Sequence, residues 1–236
     1  MELGSRSAVA VTDGSGVYRF GFWVSILVAV VTAATFALAL TALPNKVPYP
    51  FTGPEIAAQW PGDYLWLYPA MLLMLIFVAQ VATIHSCAPP SKRVFSLLGL
   101  CAAVVAAAIL LIDYYLQASV MQVSLEKGQL DGWAMLTMYN PNGVFIALEE
   151  LGYLLMSVVF LCLAPVFARK TGIERALRWL LSASFAMTVL ALVVVAAVKG
   201  SDRGDTFEIA VISIVWLTLI AAGILTAFVF RRAGKE

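Results

Sequence analysis

The sequence predicts an all-α membrane protein, a bundle of six transmembrane helices with both termini in the cytoplasm. Of its 236 residues, 62% are hydrophobic and 12% are charged, whereas a soluble domain has about 45 to 50% apolar and about 25% charged residues. Six apolar segments each reach the roughly 20 residues that a helix needs to cross the hydrocarbon core. Lysine and arginine residues are concentrated on one side of the resulting bundle, which is the asymmetry that orients membrane proteins.

The six segments cover most of the chain and leave no room for a separate soluble domain, so residues 1–236 are interpreted as a single membrane domain in the lipid bilayer. The first segment lacks a small-residue cleavage site, which favours a retained helix over a signal peptide. The connections contain the prolines, glycines and charged residues that interrupt helices. The predicted spans are residues 18–42, 64–84, 94–120, 143–168, 176–198 and 206–230.

The basic residues predict the orientation of the bundle. Eleven of the 15 lysine and arginine residues fall on the side of the N-terminus, and only four fall on the other side. The positive-inside rule therefore places both termini in the cytoplasm of a multi-pass protein of the inner or plasma membrane. The four basic residues expected outside are Lys46, Lys127, Lys199 and Arg203.

Residues 43–63 form a loop on the outer side that is rich in proline and aromatic residues. The prolines exclude a long helix there. A short helical element from Glu55 to Gln59 is expected over the outer mouth of the bundle, either as a lid or as an ordered interfacial loop. Aromatic residues near the ends of the spans are expected in interfacial belts. The belt residues are Trp60, Tyr64, Trp66 and Tyr68 on the outer side, and Trp23 and Trp179 on the inner side.

Acidic residues inside the apolar segments are the main candidates for a functional site. Asp113 lies in the outer part of the third segment, and Glu149 and Glu150 lie within two turns of the start of the fourth. Ionisable groups within a membrane are costly and mark binding or transport sites by default. Neighbouring antiparallel helices pack side by side, so these acids are expected to converge on one outward-facing pocket. The predicted ligand-binding residues are Asp113, Tyr114, Gln117, Glu149, Glu150 and Tyr153.

An acidic pocket within the membrane favours the binding or transport of a cation, an amine or a proton-coupled small molecule. A lipid-modifying enzyme that uses a carboxylate as general acid or base is the alternative, with a tyrosine orienting the carboxylate. A structural or assembly subunit without a small ligand is the third interpretation. Of the other polar residues, Glu208 is interpreted as a helix-start residue, His85 as structural and Gln80 as an interhelical hydrogen-bond partner.

The motifs of several enzyme classes are absent from the sequence. It contains no Walker A motif, no H-E-x-x-H, no G-x-S-x-G and no histidine pair for haem. The three cysteines have spacings that match no metal or redox motif. No cofactor and no metal is therefore predicted. The formal net charge of +1 predicts no nucleic-acid partner, and the oligomeric state is left open.

One stretch resembles part of a known group of proteins. The sequence YNPNGVFIALEELGYLLM, residues 139–156, resembles a segment of uncharacterised six-helix integral membrane proteins of bacteria. The resemblance covers one helix and the loop before it. It implies no substrate, cofactor or catalytic residue.

Overall fold

Long runs of alanine, valine, leucine and isoleucine form helices because a helix satisfies its own backbone hydrogen bonds, as an apolar environment requires. The structure, a computed structural model, describes residues 14–42, 47, 53–129, 131–167 and 170–235. All regular secondary structure in these residues is helical, which confirms the predicted all-α class. The helices are α1 (Gly14–Ala42), α2 (Gly53–Ala57), α3 (Leu67–Ser86), α4 (Arg93–Leu116), α5 (Gln122–Glu126), α6 (Val144–Leu163), α7 (Gly172–Lys199) and α8 (Thr206–Ala233).

Six helical segments among the described residues are long and apolar enough to cross a membrane, as the sequence predicts. The largest difference in their bounds is at the third segment. There α4 continues through one π-helical turn, Gln117–Met121, into α5 and ends at Glu126, whereas the prediction ended at residue 120. Polar residues such as Gln122 lower the local hydropathy without interrupting the backbone hydrogen bonds, and the prediction therefore stopped too early.

The segment before α3 is folded against the bundle. Its described part begins with α2, which has Pro54 in its first turn, where proline is favoured because that N–H has no helical partner. Ile56 of α2 is fully buried, and α2 packs against α5. The short element predicted from Glu55 to Gln59 thus starts at Gly53 and gives way to turns after Ala57. The other residues of the predicted loop, 43–46 and 48–52, lie outside the described part of the chain.

Two residues assigned to the outer aromatic belt lie in the core, so that prediction was wrong for them. Tyr64 is 2% exposed and Trp66 is 7% exposed. The ring of Trp66 packs edge-on against Tyr114 and Trp216, with centroids 5.3 and 6.0 Å away. Burial of these large rings inside the bundle removes more apolar surface from water than an interfacial position would. The exposed belt residues are Tyr68, Trp23 and Trp179.

Both ends of the described chain lie at the same end of the bundle. Tyr18 near the start of α1 and Phe230 near the end of α8 have ring centroids 6.5 Å apart. We call this the terminal end, and we call the opposite end, where α1 finishes and α8 begins, the distal end. Around the bundle, α1 packs on α3 and α8, and α6 packs on α4, α7 and α8. The predicted neighbourhood of the third and fourth segments is confirmed by the contact of α4 with α6.

Small residues allow close helix contacts in the terminal half of the bundle. A Cβ atom placed on Gly223 of α8 would lie 2.8 Å from the carbonyl oxygen of Ser25 and 3.0 Å from the Cβ of Ala29, both in α1. The side-chain amide of Gln80 in α3 donates a hydrogen bond to Ser25 Oγ at 3.2 Å. The predicted interhelical role of Gln80 is therefore confirmed. Helices α1, α3 and α8 are joined tightly around Ser25.

Candidate functional site

A cavity of about 230 Å³ lies in the distal half, between α1, α6, α8 and the residues that lead into α3. Most of its wall is apolar. Three carboxyl groups interrupt that wall, those of Asp63, Glu149 and Glu208. Four aromatic rings complete it, those of Phe36, Trp66, Tyr139 and Trp216. The cavity therefore combines carboxyl groups and aromatic faces in an otherwise apolar wall.

Glu149 also belongs to a buried hydrogen-bond network between α4 and α6. Gln117, at the start of the π-helical turn, donates from Nε2 to Asp113 Oδ1 at 3.2 Å and to Glu149 Oε1 at 3.4 Å. Glu208, in the first turn of α8, lines the same cavity as Glu149. We call Asp113, Gln117, Glu149 and Glu208 the acid cluster.

Several oxygens of the acid cluster are shielded from solvent and have no hydrogen-bond partner among the described residues. They are Asp113 Oδ2, Gln117 Oε1 and Glu149 Oε2. A buried acceptor without a donor costs about 1 to 3 kcal/mol, so such groups are rare in folded proteins. Glu149 also lines the cavity. The cluster is therefore arranged to receive a donor, such as a proton, a water molecule or the N–H group of a ligand.

Glu150 is directed away from the acid cluster. Its Oε2 atom accepts a hydrogen bond from Arg203 at 2.5 Å, and Arg203 lies in the connection between α7 and α8. Adjacent residues of a helix point about 100° apart, which explains why two neighbouring glutamates have different surroundings. The guanidinium group of Arg203 also lies over the ring of Phe207, 5.8 Å from its centroid. Glu150 was predicted to bind ligand, but its side chain is not among those that line the cavity.

Tyr114 and Tyr153 lie behind the cavity wall on the terminal side of Glu149. Their hydroxyl groups are hydrogen-bonded at 2.7 Å, and Trp216 donates from Nε1 to the Tyr153 hydroxyl at 3.0 Å. The rings of Tyr153 and Trp216 pack edge-to-face, 6.0 Å between centroids. We call Tyr114, Tyr153 and Trp216 the aromatic floor. Of these three, Trp216 contacts the cavity and the two tyrosines hold it in place.

Asp63 and Tyr139 close the distal side of the cavity. The Tyr139 hydroxyl donates to Asp63 Oδ2 at 2.9 Å, and both side chains are buried. Burial raises the pKa of Tyr139 above its usual range, and the neighbouring Tyr64 and Asp63 act in the same direction. Tyr139 therefore keeps its proton at neutral pH and remains a donor. The backbone around it is fixed by Asn140, whose side-chain amide donates to the carbonyl oxygen of Ala134.

The structure brings Asp113, Gln117 and Glu149 together, as the sequence predicts. It adds Glu208 and Asp63, which were not among the predicted ligand-binding residues. Glu208 does lie in the first turn of its helix, as interpreted, but it is also followed at helical spacing by the buried Val211 and Val215. That spacing was a readable signal that Glu208 faces the core. No comparable pattern precedes Asp63.

His85 lies far along α3 at the terminal end, where its Nδ1 atom is 2.8 Å from Ser96 Oγ. This contact between α3 and α4 agrees with its interpretation as a structural residue. In the part of the chain that the structure describes, no group of three histidine, cysteine, aspartate or glutamate side chains is arranged to hold a metal ion. The carboxyl groups and aromatic faces of the cavity suit an organic cation, because both attract an ammonium group.

No protein-family model, no curated protein and no solved structure matches this chain.

Proposed function

We propose that this protein lies in the inner or plasma membrane and binds and transports a small organic amine in the distal cavity. Its distal end faces the outside of the cell, because most basic residues belong to the terminal end and the positive-inside rule assigns that end to the cytoplasm. One observation carries the proposal. Three carboxyl groups, among them Glu149 with an unpartnered buried oxygen, and four aromatic rings meet at one cavity.

The chemistry of the wall supports a cationic ligand over a neutral one. A cation over the face of a tryptophan or tyrosine ring gains about 0.5 to 2 kcal/mol, more when water is excluded. A charge-assisted hydrogen bond from an ammonium group to a carboxylate is roughly twice as strong as a bond between neutral groups. An amine bound beside Glu149 would also supply the donor that Glu149 Oε2 lacks.

The acid cluster supports coupling of the amine to a proton. Glu149 and Glu208 are buried and line the same cavity, and neighbouring buried carboxyl groups favour a proton on at least one of them. An ammonium group at Glu149 favours the ionised carboxyl group, so its arrival promotes release of that proton. Amine and proton would then exchange at the same carboxyl group, as in a carrier that moves the two in opposite directions.

Thermal unfolding in detergent tests the binding step. Benzylamine and benzyltrimethylammonium should raise the Tm, whereas benzyl alcohol, the neutral analogue, should leave it unchanged. A ligand at 100 times its Kd stabilises a protein by about 2.7 kcal/mol, which is roughly 5 to 10 °C for a chain of this size. Glu149→Gln should abolish the shift, because the amide cannot pair with the cation.

Glu126→Gln is the matched control, since Glu126 is exposed at the end of α5 and the substitution makes the same change in charge. This variant should keep the full shift. A Glu149→Gln protein that still responds to benzylamine would remove Glu149 from the site. If no cation shifts the wild-type Tm, the cavity is not an amine site, and turnover of lipid extract that Glu149→Gln abolishes would instead identify the enzyme alternative.

A further inference from the structure

We infer that the ligand reaches the cavity sideways from the lipid, between α1 and α8, and is therefore an amphiphilic amine with a hydrocarbon chain. This inference rests on the proposed function and specifies its substrate class. The amine group would lie among the carboxyl groups of the cavity. The hydrocarbon chain would extend out between the two helices toward the lipid.

The contact between α1 and α8 changes along its length. In the terminal half the helices touch backbone to backbone at Gly223, and a Cβ atom on Gly21 would lie 2.8 Å from the ring of Phe230. In the distal half the same two helices line the cavity. The lining residues are Phe36, Ala39, Leu40 and Ala42 in α1, and Glu208, Ile209, Ile212, Ser213 and Trp216 in α8.

Two of these lining residues also belong to the outer surface of the bundle. Leu40 is 51% exposed and Ile209 is 44% exposed. A residue that is both exposed and part of a cavity wall marks an opening from the cavity to that surface. Since both residues lie in segments that are apolar enough to cross a membrane, the surface they share is one that would face lipid.

The other sides of the cavity are occupied by packed side chains of the described residues. On the distal side, Tyr139 is hydrogen-bonded to Asp63 and both are buried. On the terminal side, the aromatic floor holds Trp216 against the cavity. The rim between α1 and α8 is apolar, so it favours a hydrocarbon chain over a hydrated ion. The position of the carboxyl groups at the inner end of this opening matches a molecule with a cationic head and an apolar tail.

Binding of two primary amines to protein in phosphatidylcholine nanodiscs tests the inference. Butylamine fits within the cavity, whereas dodecylamine needs the opening for its chain. We expect the rim variant Leu40→Trp/Ile209→Trp to weaken dodecylamine binding at least tenfold, as measured by the Tm shift at increasing amine. Butylamine binding should change less than twofold, and this second amine also reports that the variant is folded.

The matched control is Leu38→Trp/Leu217→Trp. Leu38 and Leu217 are exposed on the same two helices and do not line the cavity, so both amines should bind this variant as they bind the wild type. If the rim variant leaves dodecylamine binding unchanged while Glu149→Gln abolishes it, the lateral route is wrong and the amine site stands. Equal stabilisation by dodecanol would contradict the need for an amine. Failure of both amines to bind the wild type would overturn the proposed function itself.

Discussion

The two halves of the α1–α8 pair show how one helix contact can serve two purposes. In the terminal half, Gly223 lets the helices touch, and Ser25 accepts a hydrogen bond from Gln80. In the distal half, Phe36 and Trp216 meet edge-to-face with centroids 5.5 Å apart, and a cavity with carboxyl groups lies beside them. Small residues bring helices together, whereas large rings hold them apart. The terminal half is therefore closely packed, and the distal half contains the cavity.

The largest loss of stability should come from adding volume in the terminal half, where α1 and α8 already touch. In Gly223→Leu the new side chain would meet the backbone of Ser25, which cannot move aside as a side chain can. Overpacking of a core typically costs 1 to 3 kcal/mol, and we expect about 3 kcal/mol here, measured as the free energy of unfolding in a titration with sodium dodecyl sulfate. Ser213→Leu, on the same helix but beside the cavity, should cost roughly 0.5 kcal/mol or less. Equal losses of unfolding free energy in the two variants would contradict the difference in packing between the terminal and distal halves.

A smaller effect is expected at the aromatic floor, which separates the two halves. Tyr153→Phe removes the hydroxyl group that accepts from Trp216 and is bonded to Tyr114. The two partners are then left buried without that bond, so the free energy of unfolding should fall by about 1 to 2 kcal/mol. Tyr115→Phe is the matched control, because Tyr115 is 62% exposed and should tolerate the change. If Tyr153→Phe leaves the free energy of unfolding unchanged, the aromatic floor is held by ring packing alone.

The smallest effect concerns the polar contact of the terminal half. The free energies of unfolding of Gln80→Leu, Ser25→Ala and the double variant form a cycle that isolates the hydrogen bond between these side chains. Interhelical hydrogen bonds in membrane proteins average about 0.6 kcal/mol, and we expect a coupling of that size. A coupling near zero would show that small residues alone hold the terminal half together.

The helices could be predicted from the sequence, but the directions in which their side chains face could be predicted only in part. The lengths of the apolar runs in the sequence located every span, because the lipid and the protein interior favour the same residues. For the same reason a span that is apolar on all sides carries little information about its rotation. Asp113 and Glu149 could be identified as candidate site residues because charge is rare at that depth. Trp66 was placed in an interfacial belt because an aromatic residue near a helix end fits both that belt and the core.

Asp63 shows a second limit of the sequence. It belongs to the cavity only because the segment before α3 folds back over the bundle, where Tyr139 from another connection meets it. Contacts between two connections depend on tertiary structure and leave no periodic pattern. Glu208 is different, since its spacing to Val211 and Val215 was visible. Because Glu208 also lies at a helix start, it was interpreted as a helix-start residue, and the buried face that this spacing indicates was not predicted.

The π-helical turn between α4 and α5 determines how this chain would respond to a change in length. A π turn holds one residue more than the α-helix around it. Deletion of a single residue from 118–120 would restore regular α-helical bonding and leave the segments on either side facing as they do now, because the π turn accommodates its extra residue within one wide turn. Gln117 and the acid cluster would stay in place, and the buried Leu125 of α5 would still face the core and α2. A one-residue deletion from the regular part of α4, which has no extra residue to lose, would instead rotate everything beyond it by about 100°. The π-helical turn is thus a point in this long helix that tolerates the loss of a residue.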